Sequence, residues 1–179
     1  MAQIADISRG TTALSDPIER VRALQPLIAL HADEADAQGC IAAPVFDALK
    51  AAGLFRLTVA KRSGGEGGSM RSFVETVAEI AKTSPGTAWA YGLLAGTTGM
   101  IASLPEAQTD LLFRRGDELG CFVGAKTGVA TRSGDGYLVS GQWPYASGCL
   151  HADWACCGVI VRNEQGEQID SGYAFINLS

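Results

Sequence analysis

Apolar residues recur at helical spacing through the first two thirds of the chain and at strand spacing through the last third. Ser15 or Asp16 as N-cap, with Pro17 at the first helical position, opens a helix whose inward face is Ile18, Val21 and Leu24. Pro26 is predicted to end or kink it, and a continuation with Leu27, Ile28, Ala32 and Ala35 runs to about Ala37 and stops near Gly39. Pro44 opens the next helix, with Val45, Phe46, Leu49 and Ala52 inward and Gly53 as its stop. Ser69 caps a helix carrying Phe73, Val74, Val77, Ile80 and Ala81, and Ser84-Pro85 starts another that Leu104-Pro105 ends. An amphipathic turn with Leu111, Leu112 and Phe113 completes five or six helices.

Beyond that point the period shortens. Gly136 to Ser140 reads as a strand after a turn at Ser133-Gly134-Asp135, and Trp154 to Arg162 as a buried strand. Asn163-Glu-Gln-Gly166 reads as a hairpin turn leading to a partner strand from Ser171 to Leu178. The expected class is therefore α+β, an all-helical domain over 1–118 followed by the start of an antiparallel β domain over 119–179.

Composition narrows the function classes. The chain has 179 residues, 47% of them apolar and 18% charged, which suits a soluble globular protein of one ordinary domain or two small layers. A net charge of −5 with no basic run argues against nucleic acid or an anionic membrane as partner. Met1 to Ser15 contains no apolar run of signal-peptide length, so a cytoplasmic location is expected. Thr87 to Leu104 is uncharged and long, yet its glycines, threonines and serines predict a helix buried in protein rather than a membrane span. Five cysteines, an odd number, suggest free thiols; Cys156 and Cys157 are adjacent in a strand, so with Cys149 and His151 they lack metal-ligand spacing, and no metal is expected. The glycine-rich loop from Lys61 to Ser69 lacks the Gly-Lys-Ser/Thr ending of a phosphate cradle and is read as a turn.

The densest chemistry lies in Gly141-Gln-Trp-Pro-Tyr-Ala-Ser-Gly-Cys-Leu-His-Ala-Asp-Trp154, on the connection between two strands. Connections are where a sheet presents functional side chains, and planar aromatics beside a hydroxyl and glycines suit a flat, polar-edged ligand. The competing reading is a tight β corner in which Trp143 and Trp154 fill the core and Ser147 caps a turn.

Gly141, Tyr145, Ser147 and Trp154 resemble the flavin-facing segment of the acyl-CoA dehydrogenase superfamily, Gly-x-x-x-aromatic-x-Thr/Ser with a tryptophan seven residues on. Trp143-Pro-Tyr-Ala-Ser-Gly-Cys with His151-Ala-Asp-Trp resembles more closely the oxygenase components of two-component flavin-dependent monooxygenases, which hydroxylate small cyclic substrates. Glu79-Ile-Ala81 and Ala88-Trp89 extend the similarity into the helices. Phe122-Val-Gly-Ala-Lys-Thr-Gly128 resembles a loop of that branch, with Gly124 and Lys126 replacing its phenylalanine and proline.

The resemblance implies a flavin, FMN or FAD, delivered reduced by a separate flavin reductase, and a homo-oligomer, a tetramer in relatives. By the same resemblance Ser147 is the catalytic hydrogen-bonding group at flavin N5, Trp143 and Tyr145 flank the ring system and Gly148 allows close approach. The backbone at Gly124 and Ala125 runs past the flavin, and Trp89 and Thr97 face the substrate. Thr97 stands where the phenol-hydroxylating relatives carry a histidine, and threonine cannot exchange a proton near neutral pH. His151 is expected to make a structural hydrogen bond at the domain seam. The family is more than twice this length, so the chain corresponds to its first half, without the C-terminal helical bundle. An acyl-CoA dehydrogenase and a non-catalytic remnant of the same fold remain as alternatives; the former lacks its Thr-Glu-Pro loop in Cys121 to Arg132.

Overall fold

The computed structural model describes residues 16–178. Six α-helices come first: α1 (Pro17–Leu30), α2 (Ala32–Gln38), α3 (Ala43–Ala51), α4 (Met70–Ala81), α5 (Pro85–Ile101) and α6 (Glu106–Leu112). Four strands follow: β1 (Gly120–Ser133), β2 (Gly136–Ser140), β3 (Trp154–Arg162) and β4 (Gln168–Asn177). The helix starts follow the caps read from sequence. Asp16 accepts from the Ile18 amide at 3.0 Å, Ser69 from Ser72 at 3.1 Å and Ser84 from Thr87 at 3.3 Å. Ser15 lies outside the described residues.

Pro26 neither ends α1 nor separates it from the next helix. The break falls at His31, because Val21 and Ile28 are both buried in one core and hold the axis through the missing hydrogen bond. The α2 end is as expected, with Gly39 left-handed at φ 65°.

Helix α5 lies between α4 and β1, and its glycines explain how closely it is packed. A Cβ at Gly99 would fall 2.2 Å from Thr58 Oγ1, and Gly92 and Gly96 face Val77 and Phe73 of α4. Tyr91, Leu94, Ala95, Thr98 and Ile101 are buried on the remaining faces. Among the described residues no helix is long and apolar enough to cross a membrane.

Under α5, Phe55 is 1% exposed, with its ring 5.2 Å from Phe46 and 5.3 Å from Tyr91. The Tyr91 hydroxyl donates to the Leu54 carbonyl at 2.8 Å, and burial raises its pKa above the ordinary phenol value. Glu79 of the Glu-x-Ala match ties α4 to α1: its carboxylate accepts from Lys82 at 2.6 Å and Arg22 at 3.3 Å, which holds its pKa below the usual range, and its carbonyl accepts from Gln25.

The glycine-rich loop is a folded-back segment. The amides of Glu66, Gly67 and Gly68 donate to the carbonyls of Arg56, Val59 and Leu57, so they are not available to a phosphate. Arg20 grips Glu66 through two hydrogen bonds of 2.6 and 2.8 Å.

The sheet corrects one expectation. Its order is β2-β1-β3-β4, with β1–β2 and β3–β4 antiparallel but β1–β3 parallel, so the sheet is mixed and not antiparallel throughout. Two antiparallel hairpins are joined edge to edge, and the connection Gly141 to Asp153 must therefore cross β1, from the end of β2 level with Val129 to the start of β3 level with Gly120. The β1–β3 register jumps from Val123↔Cys157 to Gly128↔Val159, which leaves residues 124–127 of β1 bulged opposite Gly158. Sequence reading placed a loop here; the chain instead keeps one strand through it.

Candidate flavin-facing site

The connection is anchored at both ends by its tryptophans. Trp143 donates its indole N–H to the Gly158 carbonyl at 2.8 Å, and Trp154 donates to the Leu112 carbonyl at 2.8 Å. Two glycines make room for the first, and a third admits the bulge beside it. A Cβ at Gly128 would lie 2.1 Å from Trp143 Cζ2, one at Gly141 2.8 Å from the same ring, and one at Gly158 2.6 Å from the Ala125 carbonyl oxygen of the bulge. Trp143, Gly124 and Ala125 thus converge on Gly158. A glycine inside a buried strand is itself a sign of close backbone approach, and that signal at Gly158 went unused in reading the sequence.

Between the anchors the backbone turns sharply. Tyr145 is left-handed at φ 62°, the only non-glycine so placed among the described residues, and its side chain is 94% exposed. The Ser147 amide closes the turn on the Tyr145 carbonyl at 2.8 Å. Gly148, left-handed at φ 83°, lies against Leu94 of α5, where a Cβ would fall 2.5 Å from Leu94 Cγ.

The hydroxyl of Ser147 accepts from the Trp89 indole N–H at 3.2 Å, joining α5 to the connection, and among the described residues it gives its own proton to no acceptor. Tyr145, Ser147 and Gly148 line one cleft of about 190 Å³ with Ala90, Cys40, Ile41 and His151. Trp143, Gly124 and Ala125 are outside its lining. Thr97 is also outside it: it is 6% exposed, and its methyl packs at Gly120, whose missing side chain leaves the space.

His151 occupies the seam. Its Nε2 donates to the Ile41 carbonyl at 3.0 Å and its ring stacks on Phe46 at 4.3 Å and 15°. A carbonyl only accepts, so Nε2 carries the proton. Burial holds the imidazole pKa below its ordinary value, against the opposing pull of the Ile41 hydrogen bond and Asp47. As pH falls through the unfolded value of about 6.5, the unfolded chain takes up the proton first, so the stability held at neutral pH drains toward the lower folded pKa. Urea unfolding at pH 7.5 and 5.5 should show a larger loss in the parent than in His151→Gln; equal losses would sink this assignment.

Cys121 and Cys156 have thiol pKa values pushed up to about 11 by burial, and that of Cys157 is raised for the same reason, so these are inert packing groups. Among the described residues no group of histidine, cysteine and carboxylate side chains is arranged to hold a metal. At the bulge, Lys126 donates to Ser171 at 2.5 Å and Thr127 to the Gln142 carbonyl at 2.9 Å.

A family profile described as acyl-CoA dehydrogenase, N-terminal domain, matches residues 19–109. The chain belongs to this family. It is 31% identical over 80% of its length to the FADH(2)-dependent resorcinol hydroxylase oxygenase component of Rhizobium sp., covering 36% of that protein. It is 28% identical over 95% of its length to the p-hydroxyphenylacetate 3-hydroxylase oxygenase component of Acinetobacter baumannii, covering 39% of it. Among solved structures, XiaF from Streptomyces sp. in complex with FADH2 and glycerol superposes with a TM-score of 0.84 at 27% identity, over 90% of this chain and 41% of that one. The 3-HSA hydroxylase of Rhodococcus sp. gives a TM-score of 0.83 at 26% identity, over 90% and 42%. The chain therefore spans less than half the length of these acyl-CoA dehydrogenase-fold relatives.

Proposed function

We propose that the chain is the N-terminal portion of the oxygenase component of a flavin-dependent monooxygenase, which takes reduced FMN or FAD from a separate reductase and hydroxylates a small cyclic substrate. The observation that carries this is the unspent hydroxyl of Ser147, held by Trp89 beside the exposed, left-handed Tyr145. An exposed aromatic in a costly backbone conformation gains nothing from packing with its own chain, which is the arrangement of a residue waiting for a flat ligand. The oxygenase names of the relatives favour the same reading.

The donor set fits a flavin. Tyr145 offers aromatic surface, Ser147 a polar contact to the ring edge and Gly148 a path without a side chain; the bulge 124–127 offers peptide groups outside the β1–β3 ladder, and Trp143, outside the cleft, anchors the connection that carries them. Reduced flavin, when bound, supplies the two electrons that activate dioxygen for transfer of one oxygen atom to the substrate. The chain's own part is to seat the ring, exclude water and present the substrate, with Trp89 on the substrate side. Thr97, behind the α5–β1 contact, is left out of this role.

The division into a helical domain over 1–118 and a β domain over 119–179, cytoplasmic residence, and assembly into a homo-oligomer belong to the same proposal. The test is anaerobic titration with FMN and FAD in both redox states. The expected outcome is tighter binding of the reduced form, weakened about fivefold in Ser147→Ala, the ordinary worth of one hydrogen bond. Retention of oxidised FAD alone would point to a dehydrogenase, and binding of neither form would overturn the proposal.

A further inference from the structure

We propose that Trp89 is a positioning residue that biases the hydroxyl of Ser147 toward donating, and through it the preference of the site between the two redox states of its flavin. The inference rests on the flavin reading above and adds to it how one helix residue tunes the group on the connection.

A serine hydroxyl offers one proton and two lone pairs. At 3.2 Å the indole N–H of Trp89 takes one of those lone pairs, and indole nitrogen is a donor only, so the serine proton cannot turn toward it. Two consequences follow in the same direction. The acceptor capacity of Ser147 is halved, and its O–H, polarised by the hydrogen bond it receives, becomes a stronger donor. No acceptor among the described residues consumes that proton. The other two tryptophans of the site region give their N–H groups to backbone carbonyls, at Gly158 and Leu112. Trp89 differs: its ring is 67% exposed, and its one polar contact is the hydroxyl that faces the cleft.

Ser147 therefore suits a ligand atom that carries a free lone pair better than one that carries a proton. A flavin presents both cases at one position: its central ring nitrogen accepts when the ring is oxidised and bears a proton when it is reduced. With Trp89 in place, the serine contributes more to the oxidised form than a free serine would and less to the reduced form. The helix thereby moderates the preference for reduced flavin.

The experiment uses the 179-residue chain, Trp89→Phe, Ser147→Ala, Ser147→Thr and the Trp89→Phe/Ser147→Ala double variant. Trp89 is largely exposed, so Trp89→Phe should fold as the parent does. The first readout needs no flavin: in a spectrum of the three ¹⁵N-labelled indole N–H groups, Ser147→Ala should shift the Trp89 resonance and speed its exchange, while Trp143, Trp154 and the whole Ser147→Thr spectrum stay in place. An unmoved Trp89 resonance in Ser147→Ala overturns the proposal. The second readout is the ratio of dissociation constants for oxidised and reduced flavin. Trp89→Phe should raise that ratio by less than the roughly fivefold worth of one whole hydrogen bond, and the effect should vanish in the Ser147→Ala background. The same change in both backgrounds would show Trp89 acting by shape alone and overturn the proposal while leaving the flavin reading intact. Binding of neither flavin form to the parent overturns both.

Discussion

Gly128→Ala should cost about 2–4 kcal/mol of unfolding free energy, on the scale of overpacking in a close-packed interior with loss of a buried hydrogen bond. The added methyl would lie 2.1 Å from Trp143 Cζ2, so the indole must move. It has nowhere near to go: its N–H is fixed on the Gly158 carbonyl at 2.8 Å, and Gly141 closes the other side of the ring. Displacing it breaks that bond, uncovers the core against which Trp143 packs, and shifts the turn that carries Tyr145 and Ser147. Urea unfolding together with reduced-flavin titration reads both losses. A stability change below about 0.5 kcal/mol, the range of ordinary surface substitutions, would mean that Trp143 is not seated as described.

Phe55→Ala should be more costly still, at about 3–5 kcal/mol, the usual penalty for emptying a buried phenylalanine site. Phe55 joins Phe46, on whose ring His151 stacks, to Tyr91 of α5. The cavity would therefore open under both the seam and the helix that holds Trp89. The loss should appear as a lower urea midpoint with an unchanged slope. If Phe55→Leu costs as much as Phe55→Ala, the ring contacts and not the filled volume decide the effect.

The helical portion was legible because local rules agreed with the tertiary result. Asp16, Ser69 and Ser84 cap where their side chains can reach an orphan amide, and Gly39 and Gly53 stop helices where the backbone turns left-handed. Pro26 does not end α1 because its local penalty is smaller than the packing of Val21 and Ile28 on either side of it. Three strands of the sheet were legible; β1, whose Phe122 to Gly128 resembles a loop, was not, and neither was the pairing. Short apolar runs bounded by turns mark β2, β3 and β4 as strands but carry no partner, and nothing in the spacing says that β3 lies parallel to β1.

The site divides the same way. Tyr145, Ser147 and Gly148 share a cleft because they follow one another on one turn, which a short sequence window can show. The partnership of Ser147 with Trp89 spans 58 residues and depends on how α5 docks, which no local window contains. Thr97, placed by counting from Trp89, falls behind the contact with Gly120, because β1 packs against that part of α5.

The parallel joint between β1 and β3 bears on the order in which the molecule comes together. Each hairpin can close through a short turn, at Ser133↔Gly136 and at Arg162↔Gln168, soon after its own residues are available. The joint between them pairs Gly120 with Trp154 and cannot form until the intervening chain has been drawn in, an entropic toll that local contacts do not repay in advance. The turn bearing Tyr145 and Ser147 is that intervening chain. It acquires its shape in the step that welds the two hairpins, so a chain with both hairpins formed but unwelded would hold most of its secondary structure and none of its binding surface.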